Sequence, residues 1–175
     1  KKGGELEGIQ LWLNLPAKDK MMTPNYQHLE EKQIPKLFSD DKKVQLNIIA
    51  GNQNKESGLI KTQTDVNVFT AFVENKGKME IEIPQNHQSL IYLLDGEILV
   101  NNSETLQKGD NQMVTFNQDG NLISFEAKKN STLLILSGEP IKEKVTQYGP
   151  YVMNTQTEIL EAMRDYQAGK MGYLY

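Results

Sequence analysis

Through the middle of the chain, apolar residues recur at every second position in short blocks. Met79, Ile81 and Ile83 alternate with Glu80 and Glu82, the pattern of a strand with one face buried and one wet. Blocks of strand character fall at 44–50, 66–73, 78–83, 89–94, 97–100, 112–116, 122–127 and 132–137, each bounded by turn residues. Asp95-Gly96 and Asp119-Gly120 lie between such blocks and read as hairpin turns, because glycine tolerates the positive φ those turns require. Eight short strands with this punctuation predict an all-β jelly-roll, an antiparallel sandwich or barrel.

The flanks follow other rules. Residues 8–15 read as an N-terminal strand, with Ile9, Leu11, Leu13 and Leu15 on one face, Gln10 and Trp12 on the other, and Pro16 as its end. Lys, Asp, Gln and proline then dominate 17–41 without a helical period, which predicts an extended arm packed on a surface. Near the C-terminus the period changes. Thr155-Gln156-Thr157-Glu158 has the form of a capping box; Ile159, Leu160, Met163 and Tyr166 share one helical side, and Gly169 offers a left-handed cap. The chain therefore divides into a strand and arm over 1–42, a β-domain over 43–145, and a C-terminal helix with its tail over 146–175.

Composition removes several kinds of function. A chain of 175 residues buries a substantial core without covalent staples, and with no cysteine it has no thiol nucleophile, thiolate metal site or disulfide. Nineteen Lys and Arg against 23 Asp and Glu leave a net charge of −4 and no basic stripe, which argues against direct nucleic-acid binding. The apolar runs are strand-sized, far below a membrane span, and no leader pattern opens the chain at Lys1. The expectation is a cytoplasmic chain separated from upstream sequence.

Candidate chemistry is sparse. His87, in Pro84-Gln85-Asn86-His87-Gln88, is the one metal candidate, and an exposed loop histidine is the favoured reading. His28 stands near Glu30 and Glu31 in the polar arm, where solvation is the default. With two histidines in all, a three-histidine centre within the chain is impossible. The carboxylate pairs Asp40-Asp41, Glu30-Glu31 and Glu80/Glu82 read as solvated surface, because nothing marks a cleft around them. No catalytic residue is assigned, and no phosphate-cradling glycine loop occurs. Trp12, Tyr26, Tyr148, Tyr151, Tyr166, Tyr173 and Tyr175 gather outside the β-domain.

Motifs at the two ends carry a resemblance. Gly8-Ile9-Gln10-Leu11-Trp12-Leu13-Asn14-Leu15, then Tyr26-Gln27, Gln33-Ile34-Pro35, Gly138-Glu139-Pro140-Ile141 and Gly149-Pro150-Tyr151-Val152-Met153-Asn154-Thr155 resemble, in order, the pirin family of two-barrel cupins. The resemblance implies that 8–15 closes a first barrel and that the β-domain is the second. In that family a metal, usually iron, sits in the first barrel on three histidines and a glutamate upstream of the tryptophan-bearing strand. No position here inherits a ligand role. In a metal-bearing cupin barrel aligned on Gly96, the histidine positions fall on Glu82 and Pro84 and the glutamate on Gln88.

The resemblance implies a metal-free structural or interaction domain whose full-length parent is a metal-dependent cupin, quercetin 2,3-dioxygenase-like or a transcription co-regulator. Apolar ends of this kind predict a homo-oligomer, with another protein partner as a further possibility. Two alternatives are a free-standing metal-dependent dioxygenase built around His87 and a barrel that binds a small ligand. The last requires a lined cavity, which a barrel filled by Leu, Ile, Phe and Tyr would oppose.

Overall fold

The computed structural model describes residues 3–171. Tyr173 and Tyr175, members of the aromatic set outside the β-domain, lie outside the described residues. The chain divides into two units, Pro24–Pro140 and a second formed by Lys1–Thr23 with Ile141–Tyr175.

The first unit is the jelly-roll. Its strands are β1 (Lys36–Phe38), β2 (Val44–Ala50), β3 (Asn52–Gln53), β4 (Glu56–Ser57), β5 (Val66–Val73), β6 (Lys78–Glu82), β7 (Gln88–Asp95), β8 (Glu97–Val100), β9 (Glu104–Gln107), β10 (Met113–Phe116), β11 (Leu122–Ala127) and β12 (Ser131–Gly138). A six-stranded sheet runs β1-β2-β5-β12-β7-β10 and a four-stranded sheet β6-β11-β8-β9, while β3 and β4 form a small separate ladder. The two larger sheets remain separate layers and do not close into one cylinder. Their inward residues meet in a single core; Phe69, Ile91, Leu133 and Ile135 come from one sheet, Ile81, Ile98, Leu106 and Phe125 from the other, each at most 2% exposed. Burying each such side chain stabilises the fold by about 1.5–3 kcal/mol.

Both Asp-Gly pairs differ from expectation. Asp95-Gly96 joins β7 in one sheet to β8 in the other, and Asp119-Gly120 lies between β10 and β11, which also belong to different sheets. They are corners, not hairpin turns. Gly96 does take φ +95°, so the positive φ expected of the pair is present while the expected strand pairing is not. The tight hairpin in this region is β8–β9, which turns through Asn101 and Asn102 at φ 47° and 56°, a conformation asparagine tolerates better than other side chains.

Two glutamines extend ladders with their side chains. Gln27 donates from Nε2 to Lys61 O and accepts at Oε1 from Lys61 N, both at 2.8 Å, pinning the arm to the loop before β5. Gln53, oriented to satisfy both groups, donates to Glu82 O and accepts from Glu82 N at 3.0 Å each. That contact covers backbone on β6, an edge strand of the four-stranded sheet. The arm carries two short 3-10 turns, Ala17–Asp19 and Glu31–Gln33, and β1, which the sequence pattern does not announce.

In the second unit, β13 (Thr146–Tyr148) and β14 (Tyr151–Met153) form a hairpin that turns at Gly149, φ +54°, followed by Pro150. The helix α1 (Gln156–Gln167) packs on this hairpin. Its capping box is formed as expected, with Thr155 Oγ1 accepting from Glu158 N and the Glu158 carboxylate from Thr155 N at 2.7 Å. It ends in a Schellman motif, Lys170 N to Asp165 O and Gly169 N to Tyr166 O, with Gly169 at φ +72°. The buried stripe is Ile159 and Ala162; Leu160 and Tyr166, placed on that side by the sequence, are 47% and 64% exposed. Each residue advances 100° around a helix, and the hairpin covers only the narrow arc through positions i and i+3.

Residues 8–15 form no ladder with any described strand. A strand requires a neighbour to take its backbone hydrogen bonds, and none of the described strands supplies one. Ile9, Leu11, Trp12 and Leu13 are 46–76% exposed. Beyond Pro16 the segment is anchored within its own unit. Ala17 N donates to Glu143 Oε2 at 2.8 Å, and Lys20 Nζ donates to Asn14 Oδ1 at 2.6 Å and Val152 O at 3.2 Å.

Candidate functional site

At one end of the jelly-roll the inward face of the six-stranded sheet turns polar. Inward positions on β5 run Asn67, Phe69, Ala71, Val73, and on β12 Ser131, Leu133, Ile135, Ser137. Pairing sets Asn67 opposite Ser137, Ser137 opposite Ser89, and Ser89 opposite Phe116, so one cross-strand row carries three polar side chains. The next row, Phe69, Ile135, Ile91 and Val114, is wholly apolar.

His87, in the connection just before β7, reaches this polar row through Ser137. It is 3% exposed, which corrects the expectation of an exposed loop histidine. The cause is long-range: Nδ1 lies 3.1 Å from Ser137 Oγ, and that hydroxyl accepts from Asn67 Nδ2 at 2.8 Å. Asn67 Oδ1 in turn accepts from Asn52 N at 3.0 Å. The other ring nitrogen, Nε2, is 3.4 Å from Asp65 Oδ2 yet makes no hydrogen bond, and Asp65 itself is largely exposed. Sequence reasoning missed Asn67, Ser137 and Asp65. The available signal was polar side chains at inward-phase positions of otherwise apolar strands.

These three groups have the composition of a serine–histidine–aspartate set, but the hydroxyl is buried. Ser137 is 6% exposed and does not line the adjacent cavity, so no substrate carbonyl reaches it. The network fixes the connection between β6 and β7 against β12.

The other candidates disperse. His28 is exposed on the arm. Glu30 pairs with Lys32 at 2.6 Å, Glu31 approaches Lys36 at 3.9 Å, and Glu80 and Glu82 face solvent. Asp41 accepts from Ser39 Oγ at 2.6 Å and Lys43 N at 3.0 Å, and the Ser39 hydroxyl above all holds its carboxyl below the usual carboxylate range. Among the described residues no three His, Asp or Glu side chains are placed to hold a metal ion. The positions aligned with cupin ligands are Glu82, which faces outward, Pro84, which has no donor atom, and Gln88. A set of three histidines and one glutamate for iron therefore does not fit this chain, which has two histidines in total.

Above the polar row a cavity of about 220 Å³ opens between the β6–β7 connection, the β8–β9 turn and the segment joining β10 to β11. His87 and Ser89 reach its wall, with Glu104, Asn117, Asp119 and Asn121 around them. The space between the two sheets beneath is filled by the apolar core, so this cavity is confined to the end.

Comparison with known proteins places this geometry. Residues 68–172 match the family described as Pirin C-terminal cupin domain. The chain is 33% identical over 168 to 171 residues to bacterial and plant relatives, among them a pirin-like protein of Solanum lycopersicum, of which it spans 58%. Pirin of Homo sapiens is 32% identical over 168 residues, 95% of this chain and 57% of that protein. The crystal structure of quercetin 2,3-dioxygenase from Acinetobacter baumannii superposes with a TM-score of 0.86 at 33% identity, covering 94% of this chain and 56% of that one. The chain thus spans just over half the length of these relatives.

Proposed function

This chain belongs to the pirin family through its C-terminal cupin domain, and we propose that it serves as a structural and docking domain without a resident metal. The observation that carries the reading is the donor inventory. Of two histidines, one lies exposed on the arm and the other has Nδ1 committed to Ser137. Metal-dependent chemistry, dioxygenase-like as in the relatives' names, belongs on this reading to parts of a longer parent outside these residues.

Docking falls to the second unit. Trp12, Leu13, Tyr148 and Tyr166 there are 58–76% exposed, an amount of apolar surface that favours association. In isolation the partner is a second copy of the chain, and the compartment is the cytoplasm.

Elemental analysis of the purified chain tests the metal reading. The expected result is transition metal far below one equivalent. One equivalent of iron, nickel or zinc, lost in His87→Ala, would overturn it in favour of a free-standing metalloenzyme. Light scattering tests the docking reading: a dimer is expected, and a monomer at high concentration removes it.

A further inference from the structure

The cavity at the polar end of the jelly-roll has a chemical character that the docking reading does not use. Its volume of about 220 Å³ equals about seven waters' share of the liquid, room for one molecule of monosaccharide size. Amides and hydroxyls line it, with the carboxylates of Glu104 and Asp119, and among the described residues no Lys or Arg side chain does. An anion placed there meets two negative charges and no compensating cation. Among the described residues the side chains of Asn117, Glu104 and Asp119 find no hydrogen-bond or ion-pair partner, so their donors and acceptors remain available.

The floor is different. Val114 and Phe116 pack against the core and bring aliphatic and aromatic surface to the same space. A polyhydroxylated ring has the matching pair of surfaces: a rim of neighbouring hydroxyls that planar amides and carboxylates can engage two at a time, and a face of C–H groups. The walls are braced before any ligand arrives. Gln118 Nε2 donates to Asn86 O at 3.0 Å, linking two of the three connections, and Asn101 Oδ1 accepts from Ser124 N at 2.9 Å, holding the third. A preformed site loses little freedom on binding.

We propose that this cavity binds a small polyhydroxylated molecule, uncharged or amine-bearing, and rejects acidic ones. The test is titration of the isotope-labelled full chain with glucose, galactose, mannose, myo-inositol, glucosamine and glucuronate, following backbone amide shifts. Saturable shifts at Ser89, Asn117 and Asn121 are expected with at least one neutral compound or with glucosamine. Glucuronate should bind more weakly by about tenfold, the ratio that 1.4 kcal/mol of repulsion gives. Asn117→Ala with Asp119→Ala, both on an exposed segment, should weaken binding by about tenfold or more. Glu82→Gln, on the outward face of β6, should leave it unchanged. Absence of saturation across the panel, shifts remote from the lining, or glucuronate binding as well as the neutral sugars would each overturn the proposal.

Discussion

The side-chain amide of Gln27 meets both backbone groups of Lys61, 34 residues away, at 2.8 Å each. In effect one side chain replaces a residue of a neighbouring strand, and the arm is fastened at that point. Gln27→Ala should loosen the arm by about 1–2 kcal/mol, raising hydrogen exchange at the Lys61 amide about tenfold. Gln27→Glu keeps the acceptor for Lys61 N but turns a carboxylate oxygen toward Lys61 O, so it should protect no better than Ala.

Ser137 is the pivot of the buried network, since its hydroxyl meets both Asn67 and His87. Ser137→Ala leaves two buried polar groups without partners and should cost about 2–4 kcal/mol in urea unfolding. Asn67→Ala in the same background should add less than it does alone, because the two changes break a shared interaction.

Gly96 occupies a corner with φ +95°, where an added Cβ would collide with Ser131 Oγ and Asn130 O. Ser131 cannot give way easily: its Oγ accepts from Glu97 N at 3.0 Å and donates to Lys129 O at 2.7 Å. Gly96→Ala should destabilise the jelly-roll by about 2–4 kcal/mol, combining backbone strain and overpacking. Gly120→Ala, at the other Asp-Gly corner, meets nothing within 4 Å and should be nearly neutral.

Glu158 has its carboxyl held below the ordinary value of 4.5, first by the Thr155 hydroxyl and then by the Asn154 and Thr155 amides. A carboxyl whose folded pKa is depressed contributes stability above its unfolded pKa and loses it as pH falls through the folded one. Helix α1 should therefore fray in acid, below the normal carboxylate range and not near neutrality. Thr155→Ala should move the carboxyl titration, read by carbon NMR, upward and remove much of that pH dependence.

The strands of the jelly-roll were legible because period-two burial is a local signal; 44–50, 66–73, 97–100 and 122–127 agree with the structure to the residue. Strand partners were not legible. Asp-Gly reports that the backbone takes an unusual φ or a sharp bend, and the same chemistry serves a corner between sheets as readily as a hairpin. β1, β3 and β4 span too few residues to show a period, and β9, Glu104–Gln107, carries one apolar residue, Leu106, so no alternation is visible in it. The burial of His87 was hidden for a different reason, since its hydrogen-bond partner lies 50 residues along the chain. The helix caps are written in adjacent residues and so are readable directly, whereas the buried stripe depends on how much of α1 its hairpin covers.

Strand β12 is the last of the jelly-roll to be synthesised, yet it lies between β5 and β7 at the middle of the six-stranded sheet. Until it emerges, those two strands have no ladder between them and each presents a bare edge. A nascent chain halted before Ser131 would therefore hold two half-sheets with complementary open flanks, a species prone to pair with its neighbours in a polysome. Completion of this fold is a single late event in translation, and any proteolytic loss of β12 would dismantle the larger layer from its centre outward.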